Sequence, residues 1–430
     1  MFGIKYRHIV SCQDCKRLIV YIVGSFLMSL ISSAPTVNQI IINDRSMKIA
    51  IITLPLHTNY GGILQAYAVQ KVLCDMGHEV ETISLAKREK TTSEQLALFV
   101  KSLIAILIGK NKFSDIYWPF NTRNKNKKLR ADSLSFYGKH LKMSRPLITS
   151  SDIREYCKQE HFSTFIVGSD QVWRPNYSDG IGKFFLDFLD GNNVKRISLA
   201  ASFGTSEWEF TSEQTERCAA LAKKFDAISV REEVGVELCR KYLNVDATCI
   251  IDPTMLLTPA DYEELVCKCQ QTHSVKNKIF CYVLDKSKEK DNAISEVLQL
   301  LNMDVDSIEA EPKLPPYASI KTALKDPPKP VEQWLRSFEE ARFVITDSFH
   351  GTVFSILHHR PFIVLANKGR GVSRIETLLS TFGLTERLIT KDNQINDVNW
   401  LLNGIDWGRV DNLLNEKRNE ANQFITNALE

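Results

Sequence analysis

The stretch Lys48–Leu85, KIAIITLPLHTNYGGILQAYAVQKVLCDMGHEVETISL, decides how the chain is read. Ile49–Thr53 is an apolar run rich in β-branched residues, the composition of a buried strand. A Gly-bearing loop follows, His57-Thr58-Asn59-Tyr60-Gly61-Gly62. From Ile63 to Met76, apolar residues at 64, 68, 69, 72, 73 and 76 keep a helical period. Gly77 stops that helix, and His78–Leu85 reads as a second strand. Strand, helix and strand of these lengths make a βαβ unit, the building block of a parallel sheet.

The same alternation continues outward. Strands are expected at Phe162–Val167, Lys195–Ala201, Ala227–Val230 and Ala247–Ile251. Helices are expected at Glu213–Phe225 and from Arg231 to Tyr242. The pattern then restarts: a helix at Pro259–Cys269, a strand at Lys278–Leu284, a helix over 288–301 and a weak strand near 304–308. Six prolines between 311 and 330 mark a loop. Glu332–Glu340 reads as a helix, Phe343–Thr346 as a strand and Pro361–Leu365 as another. Ile375–Phe382 is helical, and an amphipathic helix over 407–428 closes the chain. The expected architecture is α/β: two consecutive β/α domains, 47–252 and 253–430, with one cleft between them. In open sheets of this kind ligands sit beyond the C-terminal ends of the strands, so the post-strand loops hold the functional candidates.

The interval 86–145 breaks the rhythm. Between 87 and 145 stand 14 Lys and Arg against four acids, about +10. Inside lies an apolar helix, Leu96–Ile108, followed by Tyr117-Trp118-Pro119-Phe120. Basic residues around an apolar helix suit either a peripheral membrane contact through 96–130 or an insertion packed on its own domain.

Charge sharpens the picture. The 430 residues carry a formal net charge of +3, which makes no electrostatic case for a nucleic-acid partner. Residues 1–46 hold five basic and two acidic residues and account for all of that excess. The same 46 residues contain LIVYIVGSFLMSLI at 18–31, too short to span a bilayer. They read as an over-long start with Met47 as the initiator, as a membrane-associated leader, or as a cleaved signal. The ten cysteines, at 12, 15, 74, 157, 218, 239, 249, 267, 269 and 281, spell no zinc site and read mostly as small buried hydrophobes of a reducing compartment.

Among the loop residues, His350 stands at a strand-to-helix junction, where imidazole can move protons near neutral pH. Arg231 follows a strand and can hold a carboxylate or phosphate. Lys368, Arg370 and Arg374 place three cations in a Gly-bearing turn near a helix start, suited to a phosphate or to solvent. Asn59, Tyr60, Gly61 and Gly62 allow close approach of a ligand to backbone. Ser169, Asp170, Gln171 and Trp173 offer polar groups and an aromatic face for a sugar, although Trp173 fits a core equally well.

Six ordered stretches, spread from about residue 47 to the C-terminus, resemble the polysaccharide pyruvyl transferase family. They are Asn59-Tyr60-Gly61-Gly62 with Leu64-Gln65-Ala66-Tyr67, Val167–Trp173, Ala201-Ser202-Phe203-Gly204, Ser229-Val230-Arg231-Glu232, Asp252-Pro253-Thr254 and Thr346–Thr352. The resemblance implies two Rossmann-like domains facing a central cleft, similar to the GT-B glycosyltransferase fold. It implies phosphoenolpyruvate as donor substrate, no cofactor and no metal, and a glycan or lipid-linked oligosaccharide acceptor with two free hydroxyls. The product would be a pyruvate ketal plus phosphate. His350 matches the family's acid/base histidine, and Arg231 its donor-binding arginine. Ser348, Gly351, Lys368 and Arg370 complete the implied donor site, and Asn59–Gly62 with Ser169, Asp170, Gln171 and Trp173 the acceptor side. One departure stands out: some members carry an arginine two residues before the histidine, where this chain has Ser348. Lys368 or Arg370 would have to supply that charge. The implied location is cytoplasmic, at the inner face of the membrane if the acceptor is lipid-linked. Two other readings remain open: a GT-B-like glycosyltransferase using a nucleotide sugar, with Glu376 as its ribose carboxylate, and a non-catalytic glycan-binding protein.

Overall fold

The computed structural model describes residues 46–86, 91–108, 128–178, 180–189, 191, 193–267, 277–308, 328–366, 371–390 and 397–430. The leader up to residue 45, the aromatic run 117–120, the proline-rich stretch 309–327 and the turn with Lys368 and Arg370 lie outside them. By its contacts the chain divides into Met1–Ser46 and Met47–Glu430. The second unit holds both sheets and all of the described helices.

Its first sheet contains β1 (Lys48–Ile52), β2 (Glu79–Thr82), β3 (Thr164–Val167), β4 (Lys195–Ala201), β5 (Ala227–Val230) and β6 (Thr248–Cys249), in the order β2-β1-β3-β4-β5-β6. The second contains β7 (Ile279–Tyr282), β8 (Val305–Ser307), β9 (Phe343–Thr346), β10 (Phe362–Leu365) and β11 (Leu388–Ile389), in the order β8-β7-β9-β10-β11. Every pairing is parallel. Both sheets therefore reverse strand order next to their first strand, between β1 and β3 and between β7 and β9. Such switch points leave a crevice at the strands' C-terminal ends. The result is two Rossmann-like halves of an α/β fold.

The helices are α1 (Tyr60–Asp75), α2 (Thr92–Leu107), α3 (Ala131–His140), α4 (Ser150–Gln159), α5 (Ser212–Ala222), α6 (Glu233–Leu238), α7 (Pro259–Cys267), α8 (Lys288–Leu301), α9 (Val331–Glu340), α10 (Phe349–Leu357), α11 (Val372–Thr381), α12 (Val398–Asn403) and α13 (Trp407–Leu429). Helix α6 continues into a wider turn over Cys239–Leu243. Three helices are not evident from the period: α3, inside the basic interval, α4, whose Thr149 cap and Asp152 form a capping box, and the short α12.

Strand residues alternate between faces, and both faces are covered. Ala50 and Ile52 join a core on the outer side of the first sheet, with Trp173, Phe185 and Phe203. Ile279, Cys281, Phe343 and Ile345 join another on the outer side of the second. Ile49 and Ile51 instead share one core with Phe280, Tyr282 and Val344. That shared core, filled by α1, α9 and α10 side chains, joins the two halves. Tyr60 of α1 stacks on Trp334 of α9 at 5.3 Å between centroids, and its hydroxyl donates to the Lys329 carbonyl at 2.8 Å. Helix α13 returns to the first half, where the Lys195 ammonium donates to the Leu429 carbonyl at 2.7 Å, and its Arg418 donates to the Met255 and Leu257 carbonyls just past the boundary. Among the described residues, Cys157, Cys218 and Cys239 are buried free thiols, each pushed up to about 12 mainly by burial. At such values they are not nucleophiles near neutral pH.

Candidate active site

The two switch points meet at the seam between the halves. On the first side β1 ends at Ile52 and β3 at Val167. Gln65 of α1 ties the two strand ends together. Its amide donates to Thr53 Oγ1 at 2.8 Å and to the Gly62 carbonyl at 3.0 Å, while its Oε1 accepts the Ser169 N–H at 2.8 Å. On the second side β9 delivers Asp347. Its carboxylate accepts the Leu284 and Asp285 N–H groups beyond β7, and the Lys290 ammonium at 2.6 Å. Asp347 thus locks the ends of β7 and β9 and sets where α10 begins.

Ser348 is the N-cap of α10, its hydroxyl accepting the Gly351 N–H at 3.2 Å. Serine is among the best residues for that position. The structure therefore gives the departure at 348 a local reason: the side chain is spent on starting the helix. Gly351 has its own constraint, since a Cβ there would lie 2.3 Å from Thr346 Oγ1. His350, the second residue of α10, is buried.

Asp252 is the residue around which the others gather. Its Oδ2 takes the Arg231 Nη1 donor at 2.6 Å and the Ser169 hydroxyl at 3.3 Å, and lies 3.7 Å from His350 Nε2. Its Oδ1 accepts the Thr254 N–H at 3.0 Å and the Thr254 hydroxyl at 2.6 Å. Burial alone would push this carboxyl up. The His350 imidazole, the Arg231 guanidinium and the Thr254 hydroxyl outweigh it and hold Asp252 well below the usual carboxylate range. Arg231 also lies 3.6 Å from Asp170 Oδ1. Burial works against its charge, but Asp252, Asp170 and Glu232 hold its affinity for the proton above the ordinary value. Arg231 Nε and Nη2 and His350 Nε2 are buried with no hydrogen-bond partner among the described residues. Buried polar atoms in this state mark a place for a ligand or solvent.

The other expected site residues divide into two groups. Gly61 and Gly62 are not in a loop but in the first turn of α1, and a Cβ on Gly61 would lie 2.0 Å from His350 Nδ1. Asn59, the exposed N-cap, sits beside Gly62, which also borders Asp170 Oδ2. Asp170, buried, has a left-handed backbone at φ 67°. Gln171 packs over Gly204 and accepts from Arg174 at 3.3 Å. Tyr60, Ser169 and Trp173 are used structurally instead. Ser169 is fully buried, its hydroxyl donating to the Ala200 carbonyl at 2.9 Å. Trp173 is 0% exposed, stacks on Phe185 at 4.9 Å and donates its indole N–H to the Phe184 carbonyl. It offers no open face to a sugar. Lys368 and Arg370 fall outside the described residues. Arg374, expected in the same basic turn, is instead in α11, buried close to Phe349 and Arg231. Glu376 is exposed on α11.

In the sequence Asp252 belongs to a motif but carries no role. Its position after β6, ahead of Pro253, is the available signal, but its distant partners come from the loops beyond β3 and β5 and from α10 and have no sequence spacing to reveal them. Glu232 escapes sequence reasoning in the same way. This buried carboxylate accepts from Ser202 Oγ and from the Phe203 and Gly204 N–H groups, and so shapes the loop after β4. Among the described residues no group of three or more His, Cys, Asp or Glu is arranged to hold a metal ion.

The family profile described as polysaccharide pyruvyl transferase matches residues 59–369, which include Asn59, Arg231, Asp252 and His350. The chain belongs to the polysaccharide pyruvyl transferase family. It is a transferase by that membership. No curated protein sequence matches the chain significantly. Among solved structures it is similar to the UDP-GlcNAc 2-epimerase of Methanocaldococcus jannaschii bound to UDP-GlcNAc and UDP, at 12% identity over 86% of this chain and 100% of that one, TM-score 0.40. It is similar to UGT2 of Phytolacca americana complexed with UDP-2fluoro-glucose and pterostilbene, at 9% identity over 90% and 99%, TM-score 0.43. A third is a UDP-N-acetylglucosamine 2-epimerase, so described as putative, from Listeria monocytogenes, at 11% identity over 86% and 91%, TM-score 0.47.

The Gly61–His350 contact yields a test in this member of the family. Gly61→Ala must displace the imidazole, because the added carbon would overlap the ring. A misplacement of about 1 Å at a reacting group costs on the order of 10²-fold in rate. Transfer is expected to fall by about that factor while the urea midpoint moves little; an unchanged kcat would separate His350 from the chemistry.

Proposed function

We propose that this protein moves the enolpyruvyl group of phosphoenolpyruvate onto two hydroxyls of a sugar in a cell-surface polysaccharide or its lipid-linked precursor. The supporting observation is the buried trio Arg231, Asp252 and His350, with unused donors on Arg231 beside a helix start. Phosphoenolpyruvate brings two anionic groups that such donors would hold. In the reaction the methylene carbon gains a proton and becomes methyl, and the two hydroxyl oxygens bond to the former enol carbon. The carbon–oxygen bond to phosphate breaks. The two hydroxyl protons balance the one taken up by carbon and the one left with phosphate or solvent. His350 carries protons at this centre, with the Asp252 carboxylate 3.7 Å from its Nε2. Ser348 and Gly351 hold the first turn of α10 against the donor. Asn59, Gly62, Asp170 and Gln171 line the acceptor side.

The test is incubation with phosphoenolpyruvate and lipid-linked glycan precursors. Phosphate should be released as the acceptor gains a carboxylate. Turnover of a nucleotide sugar with no use of phosphoenolpyruvate would overturn this reading in favour of glycosyl transfer.

A lipid-linked acceptor would be met at a membrane surface, and α2 suits that. Leu96, Val100, Ile104 and Leu107 recur at helical spacing on one face and are 46–85% exposed. The basic interval around them favours anionic lipid. Among the described residues no helix is long and apolar enough to cross a membrane, so the contact would be peripheral. The protein should float with anionic liposomes, and serine at positions 96, 100, 104 and 107 should leave it in the pellet fraction. A wild-type protein that does not float defeats the idea.

A further inference from the structure

We propose that Arg374 binds the phosphate of the donor, supplying the cation that this chain lacks at position 348. The inference rests on the reading of phosphoenolpyruvate as donor. Arg374 lies beyond the span matched by the family profile, residues 59–369, and four positions beyond Arg370 of the basic turn.

Three features place it at the site. Its guanidinium carbon lies 5.7 Å from the centre of the Phe349 ring, and that of Arg231 lies 4.3 Å from the same centre. Phe349 stands between Ser348 and His350. Two cations therefore converge on the segment where some family members place an arginine. Helix α11 brings Arg374 there. Its N-cap, Gly371, has φ +78° and is pressed so closely on the Gly204 carbonyl that a Cβ would lie 1.7 Å from the oxygen. The start of α11 is thus seated on the first half, and Arg374 is its third residue.

Three effects weigh against a cation at this place. Arg374 is 6% exposed, and burial disfavours the charged form of a side chain. It sits in the first turn of a helix, where the macrodipole disfavours a positive charge. Arg231 is a second cation close by. Burial and Arg231 together push Arg374 down to about 10, against the opposing pull of Asp170 and Glu232. A phosphate at the joined starts of α10 and α11 would relieve all three costs together, since backbone N–H groups and a fork-shaped cation are what phosphate binds.

The experiment uses the full chain with Arg374→Gln and Arg374→Lys. For Arg374→Gln we expect the KM for phosphoenolpyruvate to rise roughly 10- to 100-fold, the loss of one charge-assisted contact. Inhibition by inorganic phosphate should weaken by a similar factor. The acceptor KM should hold. Arg374→Lys should recover part of the affinity. An unchanged donor KM, or a raised donor KM with unchanged phosphate inhibition, overturns the assignment. So does a fall in melting temperature and kcat with no selective effect on donor, which a purely structural role would give. A wild-type protein that does not bind phosphoenolpyruvate would instead remove the donor reading itself.

Discussion

In the His350→Ala variant, phosphate release from phosphoenolpyruvate is expected to fall by roughly 10²–10⁴-fold, the range a positioned proton carrier contributes. The expectation follows from what surrounds the ring. His350 Nε2 lies 3.7 Å from Asp252 Oδ2, within ion-pair reach yet too far for a direct hydrogen bond. Gly61 leaves the other edge of the ring room that any side chain would take. The residue is therefore held in place without being consumed by a structural contact. The donor KM should change little, because Arg231 remains. Release that survives at the wild-type rate would remove His350 as the catalyst.

Arg231→Met should have the largest effect on stability. Arg231 is the cation facing Asp252 at 2.6 Å and Asp170 at 3.6 Å, all three buried. Removing one partner of a buried ion pair costs about 3–5 kcal/mol, because a charge is left without compensation. The cost should depend on pH. In the wild type Asp252 has a depressed pKa, so it contributes stability above the unfolded-state value that is lost only as pH falls through the folded one. Without the guanidinium, one of the groups that hold the Asp252 carboxyl down is gone, and it moves up toward the ordinary carboxylate range. The gap between variant and wild type should then be widest near neutral pH and narrow in acid. Urea titrations at several pH values would measure it, and a gap that does not vary with pH would argue that Asp252 is not the group left exposed to the loss. Donor binding should disappear in the same variant.

The α/β class, the two successive sheets and the strand-end positions of Arg231 and His350 are all legible in the linear order of residues. Apolar runs followed by glycine or polar turns are local signals, and the parallel sheet follows from their alternation. The helical periods of α1 and α13 are legible because one face of each is buried and the other wet. Those of α3 and α4 are not, because short, mostly polar segments carry little period. The first turn of α1 reads as a loop because Tyr60-Gly61-Gly62 has poor helix propensity; contact with His350 and the second half overrides that preference.

Which residues work together is a property of the folded chain alone. Asp252 meets Arg231, Ser169 and His350 across separations of up to 98 positions, and nothing local encodes such a meeting. Folding also makes Trp173 fill a core rather than a cleft, leaves the Ser348 side chain capping its own helix, and brings Arg374 beside Arg231. The physical reason is common to all four. Burial, compensation of charge and close approach of backbone are properties of pairs of segments. The linear order fixes only where each segment ends.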